Sequence, residues 1–129
     1  MKQIITILFI GLVTFSIQAQ NKVAKIEFKT DVIDYGTINK GADGVRVFEF
    51  TNTGDAPLIV SKVTSSCGCT VPKKPDAPIM PGATGEISVK YDTNRVMPIR
   101  KTITVMSNAE TPTVALKIKG EVIDPSATK

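Results

Sequence analysis

The sequence predicts an all-β fold: an immunoglobulin-like antiparallel β-sandwich of about seven strands, preceded by a cleavable signal peptide. Apolar and polar residues alternate in short segments, and turn-forming residues separate these segments at intervals of about 8 to 15 residues. No stretch after the leader has the apolar spacing of an amphipathic helix. Because the alternation makes one face of each strand apolar, two sheets packed face to face would bury those faces.

Residues 1–19 have the three parts of a signal peptide. Lys2 supplies the positive charge, residues 4–15 are mostly apolar, and the segment becomes polar before it ends on the small residue Ala19. The apolar stretch of about 12 to 14 residues is shorter than the roughly 20 that a membrane span needs. We therefore expect cleavage after Ala19, secretion to the periplasm or the cell exterior, and no membrane span in the mature protein.

The sandwich domain is expected over residues 20–124, and residues 125–129 are expected to form a flexible tail. Residues 72–81 contain four prolines, which central strands exclude, so this segment is predicted to be a loop. Asp34, two residues before Gly36, is interpreted as the cap of a bend, and Asn52 and Gly54 as the residues that make a turn. The seven alternating segments begin near Ile26, Val32, Arg46, Leu58, Ile87, Ile103 and Val114.

The composition of the 129-residue chain argues against several classes of function. It contains no His, which removes Ser-His-Asp and Cys-His catalysis and every His-ligated metal site. Its two Cys are too few for a four-thiolate metal site. The net charge of +4 is spread along the chain, and with no Trp, two Tyr and five Phe, aromatic stacking platforms are scarce. We expect no enzymatic activity, no cofactor and no nucleic-acid partner.

The segment Ser65-Ser-Cys-Gly-Cys-Thr70 concentrates the unusual chemistry of the chain. In an extended strand, Cys67 and Cys69 would point to the same side, with their Cα atoms roughly 6.5 to 7 Å apart, at the limit of disulfide geometry. Gly68 is expected to let the backbone bend and bring the two residues closer. Ser65 and Ser66 have no His base, and nothing in the sequence supports a Ser–Lys pair with a neighbouring lysine.

Three interpretations of the cysteine pair stay open. The first is a Cys67–Cys69 disulfide, which export to an oxidising compartment favours. The second is a Cu(I) site to which Met80, Met97 and Met106 could add thioether ligands. The third is a pair of reduced thiols that pack in the core or bond to another chain. A redox enzyme is disfavoured, because the spacing is not C-x-x-C and no helix N-terminus lowers a thiol pKa.

Several short strings together resemble the DUF1573 family over about residues 26–123. They are Val32-Ile-Asp-Tyr-Gly36, Phe48-Glu-Phe-Thr-Asn-Thr-Gly54, Ser66-Cys-Gly-Cys-Thr70 and Gly120-Glu-Val122. The resemblance implies an immunoglobulin-like sandwich, related in style to major sperm protein and cilia-associated domains, in an exported bacterial protein. It implies no activity, because the family is defined by sequence alone.

Two hypotheses of function follow. The first is a non-enzymatic binding or scaffold module that engages a protein partner through its loops or sheet edges. The second is a thiol site at Cys67 and Cys69 that binds Cu(I) or exchanges disulfides.

Overall fold

The structure, a computed structural model, describes residues 22–127. The predicted signal peptide lies outside this range and stays a prediction. Within residues 22–127 the predicted all-β class is confirmed, with eight strands where about seven were expected, followed by a short 3-10 helix at Pro125–Ala127. No helix within the described range is long and apolar enough to cross a membrane. The strands are β1 Ile26–Phe28, β2 Val32–Asn39, β3 Val45–Asn52, β4 Val60–Ser65, β5 Thr70–Lys73, β6 Thr84–Tyr91, β7 Pro98–Ser107 and β8 Thr113–Ile123.

The strands form two four-stranded sheets, with the orders β1-β3-β6-β5 and β2-β8-β7-β4. All pairs are antiparallel except β2 and β8, which run parallel. These two strands come from opposite ends of the domain, so no hairpin sets their relative direction. The four edge strands are therefore β1 and β5 in one sheet and β2 and β4 in the other.

β5 is the strand that the sequence did not predict. It contains Pro72, which lies opposite Val89 of β6, so the proline-rich loop starts after Lys73 rather than at Pro72. Pro lacks the amide hydrogen that a central strand needs, but an edge strand pairs on one side only and tolerates it. Position at the edge thus reconciles this proline with a strand.

The apolar faces of both sheets meet in one core. Each large aliphatic or aromatic side chain buried there contributes roughly 1.5 to 3 kcal/mol relative to exposure. Phe28 of the edge strand β1 covers Phe50, with ring centroids 5.4 Å apart. The largest fully buried side chains are Tyr91, Phe48, Phe50, Leu58, Ile87, Ile99, Ile103, Leu116, Ile118, Val89, Val105 and Val122.

The connections between strands collect at two ends of the sandwich. At one, which we call the cysteine end, Asp92 N donates to Cys69 O at 2.8 Å and Gly41 N donates to Thr93 O at 3.2 Å. These bonds join the β2–β3, β4–β5 and β6–β7 connections. At the other, the Asn52 end, the connections β3–β4, β5–β6 and β7–β8 meet around Asn52 and Asn108.

Candidate functional site

The Cys-Gly-Cys segment forms a tight turn between the two sheets. It leaves the edge strand β4 of one sheet and enters the edge strand β5 of the other. Thr70 N donates to Cys67 O at 3.3 Å, which closes the turn. Because the chain turns here instead of running extended, the Cα atoms of Cys67 and Cys69 are 5.4 Å apart, and their sulfur atoms are joined as a disulfide.

Gly68 does not play the part that the sequence suggested. Its φ is not positive, and a Cβ built on it would meet nothing within 4 Å. An alanine could therefore occupy this position without backbone strain or overlap of its Cβ. The turn is made by its hydrogen bond and its neighbours, not by the freedom of glycine.

The two cysteine residues differ in burial. Cys69 is 4% exposed and belongs to the core, whereas Cys67 is half-buried and packs against it. Cys69 Sγ lies 3.7 Å from the hydroxyl oxygen of the buried Thr70, and Cys69 N donates to Cys67 Sγ at 3.0 Å. A thiol from solution would therefore reach Cys67, while Cys69 is shielded by the sandwich.

The serines beside the cysteines have structural partners. Ser66 N donates to Thr102 O at 3.0 Å, and Ser66 Oγ accepts from Thr102 N at 3.1 Å. Ser65 Oγ accepts from Cys67 N at 3.3 Å. Both hydroxyl oxygens are thus engaged by backbone amides, and nothing here activates either serine as a nucleophile.

Two of the three methionines considered for a Cu(I) site, Met80 and Met106, lie away from the cysteines. Met106 lies opposite Lys62 in the β4–β7 pair. Lys62 is five residues before Cys67, a separation of about 16 to 17 Å along an extended strand. Met80 belongs to the Asn52 end, and Met97 to the connection at the cysteine end. Within residues 22–127 no cluster of three or more His, Cys, Asp or Glu could hold a metal ion.

Two tyrosines that sequence reasoning passed over lie in the core near the cysteine end. Tyr91 pairs with Thr70, and its ring meets that of Tyr35 edge-on at 6.3 Å. Tyr35 OH donates to Gly44 O at 2.8 Å, whereas the hydroxyl of the buried Tyr91 has no hydrogen-bond partner among the described residues. Burial raises the pKa of Tyr35 to about 12, partly offset by Arg46, and burial also raises the pKa of Tyr91.

The Asn52 end is built around one buried amide. Asn52 is 0% exposed, and its Nδ2 donates to Ala56 O at 2.7 Å and Ile79 O at 2.9 Å. Its Oδ1 accepts from Gly54 N at 3.0 Å and Lys25 N at 3.3 Å. A Cβ on Gly54 would overlap the backbone of residues 23–25. The interpretation of Asn52 and Gly54 as turn residues is confirmed, and so is that of Asp34, whose Oδ1 accepts from Gly36 N at 2.8 Å.

Cations that look scattered in the sequence converge on one sheet. Arg100, Lys117 and Lys119 lie on the outer face of β7 and β8, with Arg100 directly opposite Lys119. Sequence reasoning missed this patch because strand pairing creates it. The signal that could have found it is the identical parity of Lys117 and Lys119 within one alternating strand.

Comparison with known proteins agrees with this geometry. The sequence model of DUF1573, described as a protein of unknown function, matches residues 26–122. The chain belongs to the DUF1573 family. A comparison with curated proteins yields no significant match.

Solved structures show the same fold at low sequence identity. A protein of unknown function from Porphyromonas gingivalis W83 is 21% identical with a TM-score of 0.68, covering 78% of this chain and 47% of its own. The ASH/PapD-like domain of human CEP192 is 11% identical with a TM-score of 0.64, covering 79% of this chain and 87% of its own. The Pseudomonas aeruginosa CupB2 chaperone is 7% identical with a TM-score of 0.54, covering 80% of this chain and 57% of its own. This DUF1573 chain thus spans about half of the Porphyromonas protein.

Proposed function

We propose that this DUF1573 domain is a non-enzymatic module, secreted to the periplasm or the cell exterior, that binds another protein. The observation that carries the proposal is the concentration of Arg100, Lys117 and Lys119 on the outer face of β7 and β8, where only Lys119 has a carboxylate within 4.0 Å among residues 22–127. The stability of the sandwich does not require this concentration of charge. The chaperone fold of similar structures supports a protein partner, because chaperones bind polypeptides. The predicted leader supports secretion.

The sheet edges are poor candidates for the binding surface, because each carries a device that hinders strand addition. β1 has only three residues, and β5 has four, one of them Pro72. β4 contains a register shift between Val60 and Lys62, and the lysine itself is exposed. In β2, the backbone amides of Val32 and Gly36 already donate hydrogen bonds to the side-chain oxygens of Thr30 and Asp34, respectively. A partner is therefore expected on a face or a loop.

The test is to capture and then reconstitute a partner. The domain from residue 20 onward is immobilised, bound proteins from the cell envelope are identified, and the purified candidate is titrated by calorimetry. We expect a saturable complex of defined stoichiometry. The proposal is overturned if the domain instead turns over a thiol or ester substrate and this activity disappears in Cys67→Ala or Ser66→Ala.

A second candidate function, disulfide exchange, is favoured by the unequal burial of Cys67 and Cys69. A thiolate of an external dithiol would attack the half-buried Cys67 Sγ, form a mixed disulfide and release Cys69 as a thiolate, which takes up a proton. The second thiolate of the external molecule would then attack that molecule's first sulfur, which is bonded to Cys67 in the mixed disulfide, and release Cys67 as a thiolate that takes up a proton. Two electrons pass to the domain, and the external dithiol becomes a disulfide.

Mass spectrometry separates this candidate from a purely structural disulfide. The intact domain is incubated with a glutathione redox series and, separately, with Cu(I), before and after reduction. Exchange predicts that the domain gains two daltons, one hydrogen for each sulfur, and loses them again as the redox potential of the glutathione series is varied. A mass that stays fixed across the series, with no copper bound, excludes both the exchange and the Cu(I) form of the hypothesis.

A further inference from the structure

The outer face of the β2-β8-β7-β4 sheet carries a groove with a strongly basic lining. Arg100, Lys101, Lys117 and Lys119 line it together with Val32 and Thr102. Lys117 and Lys119 are two positions apart along β8, with one residue between them, which places them about 6.7 Å apart along the strand. Arg100 lies opposite Lys119, and Thr102 lies opposite Lys117. We call this surface the basic groove.

The charges of the basic groove are poorly matched by the domain itself. Asp34 reaches Lys119 at 4.0 Å, and the described residues offer no carboxylate within 4.0 Å of Arg100, Lys101 or Lys117. Glu121 is the next outward residue on β8, but it faces Pro98. Like charges directly opposite one another destabilise a sheet. The face thus bears an electrostatic cost that folding does not explain.

The other sheet shows how such a cost is normally relieved. Glu49 of β3 lies directly opposite Glu86 of β6. There, however, Lys29 approaches Glu49 at 3.7 Å and supplies a counter-charge from the neighbouring edge of the sheet. In the basic groove Asp34 does the same for Lys119, but Arg100 and Lys117 have no carboxylate within 4.0 Å in the part of the chain that the structure describes. The missing counter-charge is what a ligand would bring.

The chemistry of the basic groove selects an acidic polypeptide. No aromatic side chain of residues 22–127 is exposed, so the stacking that single-stranded nucleic acids require is missing. Val32, 37% exposed, adds an aliphatic contact beside the cations. In an extended peptide, alternate side chains point to one side about 6.7 Å apart, which equals the spacing of Lys117 and Lys119.

We propose that the basic groove binds an extended acidic segment of the partner protein. Carboxylates at alternate positions of this segment face Lys117 and Lys119, and Arg100 binds the carboxylate that faces Lys119. Arg favours this role because its planar guanidinium can bind a carboxylate with two hydrogen bonds. The inference rests on the proposed binding function and specifies its surface and its ligand.

The experiment measures the binding of fluorescent decapeptides by anisotropy. One peptide alternates Glu and Ser, and a second has the same composition with its five Glu in one block. We expect the alternating peptide to bind at least threefold more tightly, and a tenfold loss in the double variant Arg100→Glu, Lys119→Glu. The matched control is Lys73→Glu, Lys90→Glu on the outer face of the other sheet, which changes the net charge equally and should alter binding less than twofold.

The outcomes discriminate sharply. Equal losses of peptide affinity in the two double variants would overturn the basic groove as a specific site, and so would equal affinity of the wild type for the two peptides. Tight binding of a sulfated polysaccharide without binding of either peptide would also overturn it. The melting temperature of Arg100→Glu should stay unchanged or rise, because the new carboxylate faces Lys119. If the partner captured by the wild type is still captured by Arg100→Glu, Lys119→Glu, the binding function stands and this surface is wrong.

Discussion

The two ends of the sandwich solve the same problem, the joining of strands from opposite sheets, in different ways. At the Asn52 end, one buried side chain satisfies four backbone groups from three segments of the chain. At the cysteine end, a disulfide joins two cysteines that are two positions apart, and one of them, Cys67, is half-buried. The hydroxyl of the adjacent Tyr91 has no hydrogen-bond partner in the described range. The first end is held by a fully satisfied hydrogen-bond network, whereas the second is held by a covalent bond and leaves one buried hydroxyl without a partner among residues 22–127.

The largest expected effect is at the centre of the Asn52 end. Asn52→Ala removes four hydrogen bonds and leaves the carbonyl of Ala56 and two amide groups unpaired, whereas Ile79 O still accepts from Leu58 N at 2.8 Å. We expect a loss of about 4 kcal/mol in the free energy of unfolding. Urea denaturation measures it. The control is Asn108→Ala at the same end, where an exposed amide bonds Ile59 N and Pro57 O, and the expected loss is about 1 kcal/mol. Equal losses would contradict the claim that burial makes Asn52 the centre.

The same substitution at a glycine of each end compares the two turns directly. Gly54→Ala places a Cβ against the backbone of residues 23–25, and we expect it to cost about 3 kcal/mol. Gly68→Ala places its Cβ in open space and should change stability by less than about 0.5 kcal/mol. Thermal unfolding of both variants decides the matter, and a large loss at Gly68 would show that the cysteine turn depends on glycine after all.

Alkaline pH should weaken the core near the cysteine end through Tyr35. Its pKa is about 12 in the folded protein and about 10 when unfolded. The neutral phenol is favoured by folding, so its contribution is complete below pH 10 and is lost as the pH rises towards 12, a change of about 2 kcal/mol. Denaturation of wild type and Tyr35→Phe between pH 9 and 12 measures it. The wild type should lose more stability than the variant over this range, and parallel curves would contradict the assignment.

The smallest effect should be a gain. Tyr91→Phe removes a buried hydroxyl that has no partner among residues 22–127, and we expect the free energy of unfolding to rise by up to about 1 kcal/mol. The edge-on contact with Tyr35 survives, because it needs only the ring. Chemical denaturation at pH 7 tests this. A clear loss of stability would mean that the hydroxyl is hydrogen-bonded, for example to a buried water molecule.

Much of the fold could be predicted from local sequence patterns, and the features that the prediction missed have physical explanations. Alternation located the seven segments, and Asn-Thr-Gly marked a turn, because both signals depend on neighbours in the chain. Thr70–Lys73 was missed because prolines outweighed its alternation, and only a place at the sheet edge makes Pro72 acceptable. The cysteine pair was recognised as a candidate, but an assumed extended backbone overestimated the separation of its Cα atoms.

The sequence by itself determined the all-β class, the family and the cysteine motif, since these follow from side-chain alternation and from short strings of residues. Tertiary structure alone decided that β2 runs parallel to β8, that Cys67 is reachable while Cys69 is not, and that Arg100 faces Lys119. These features depend on which strands become neighbours, and that choice is made by the burial of apolar faces across the whole domain rather than by any local segment.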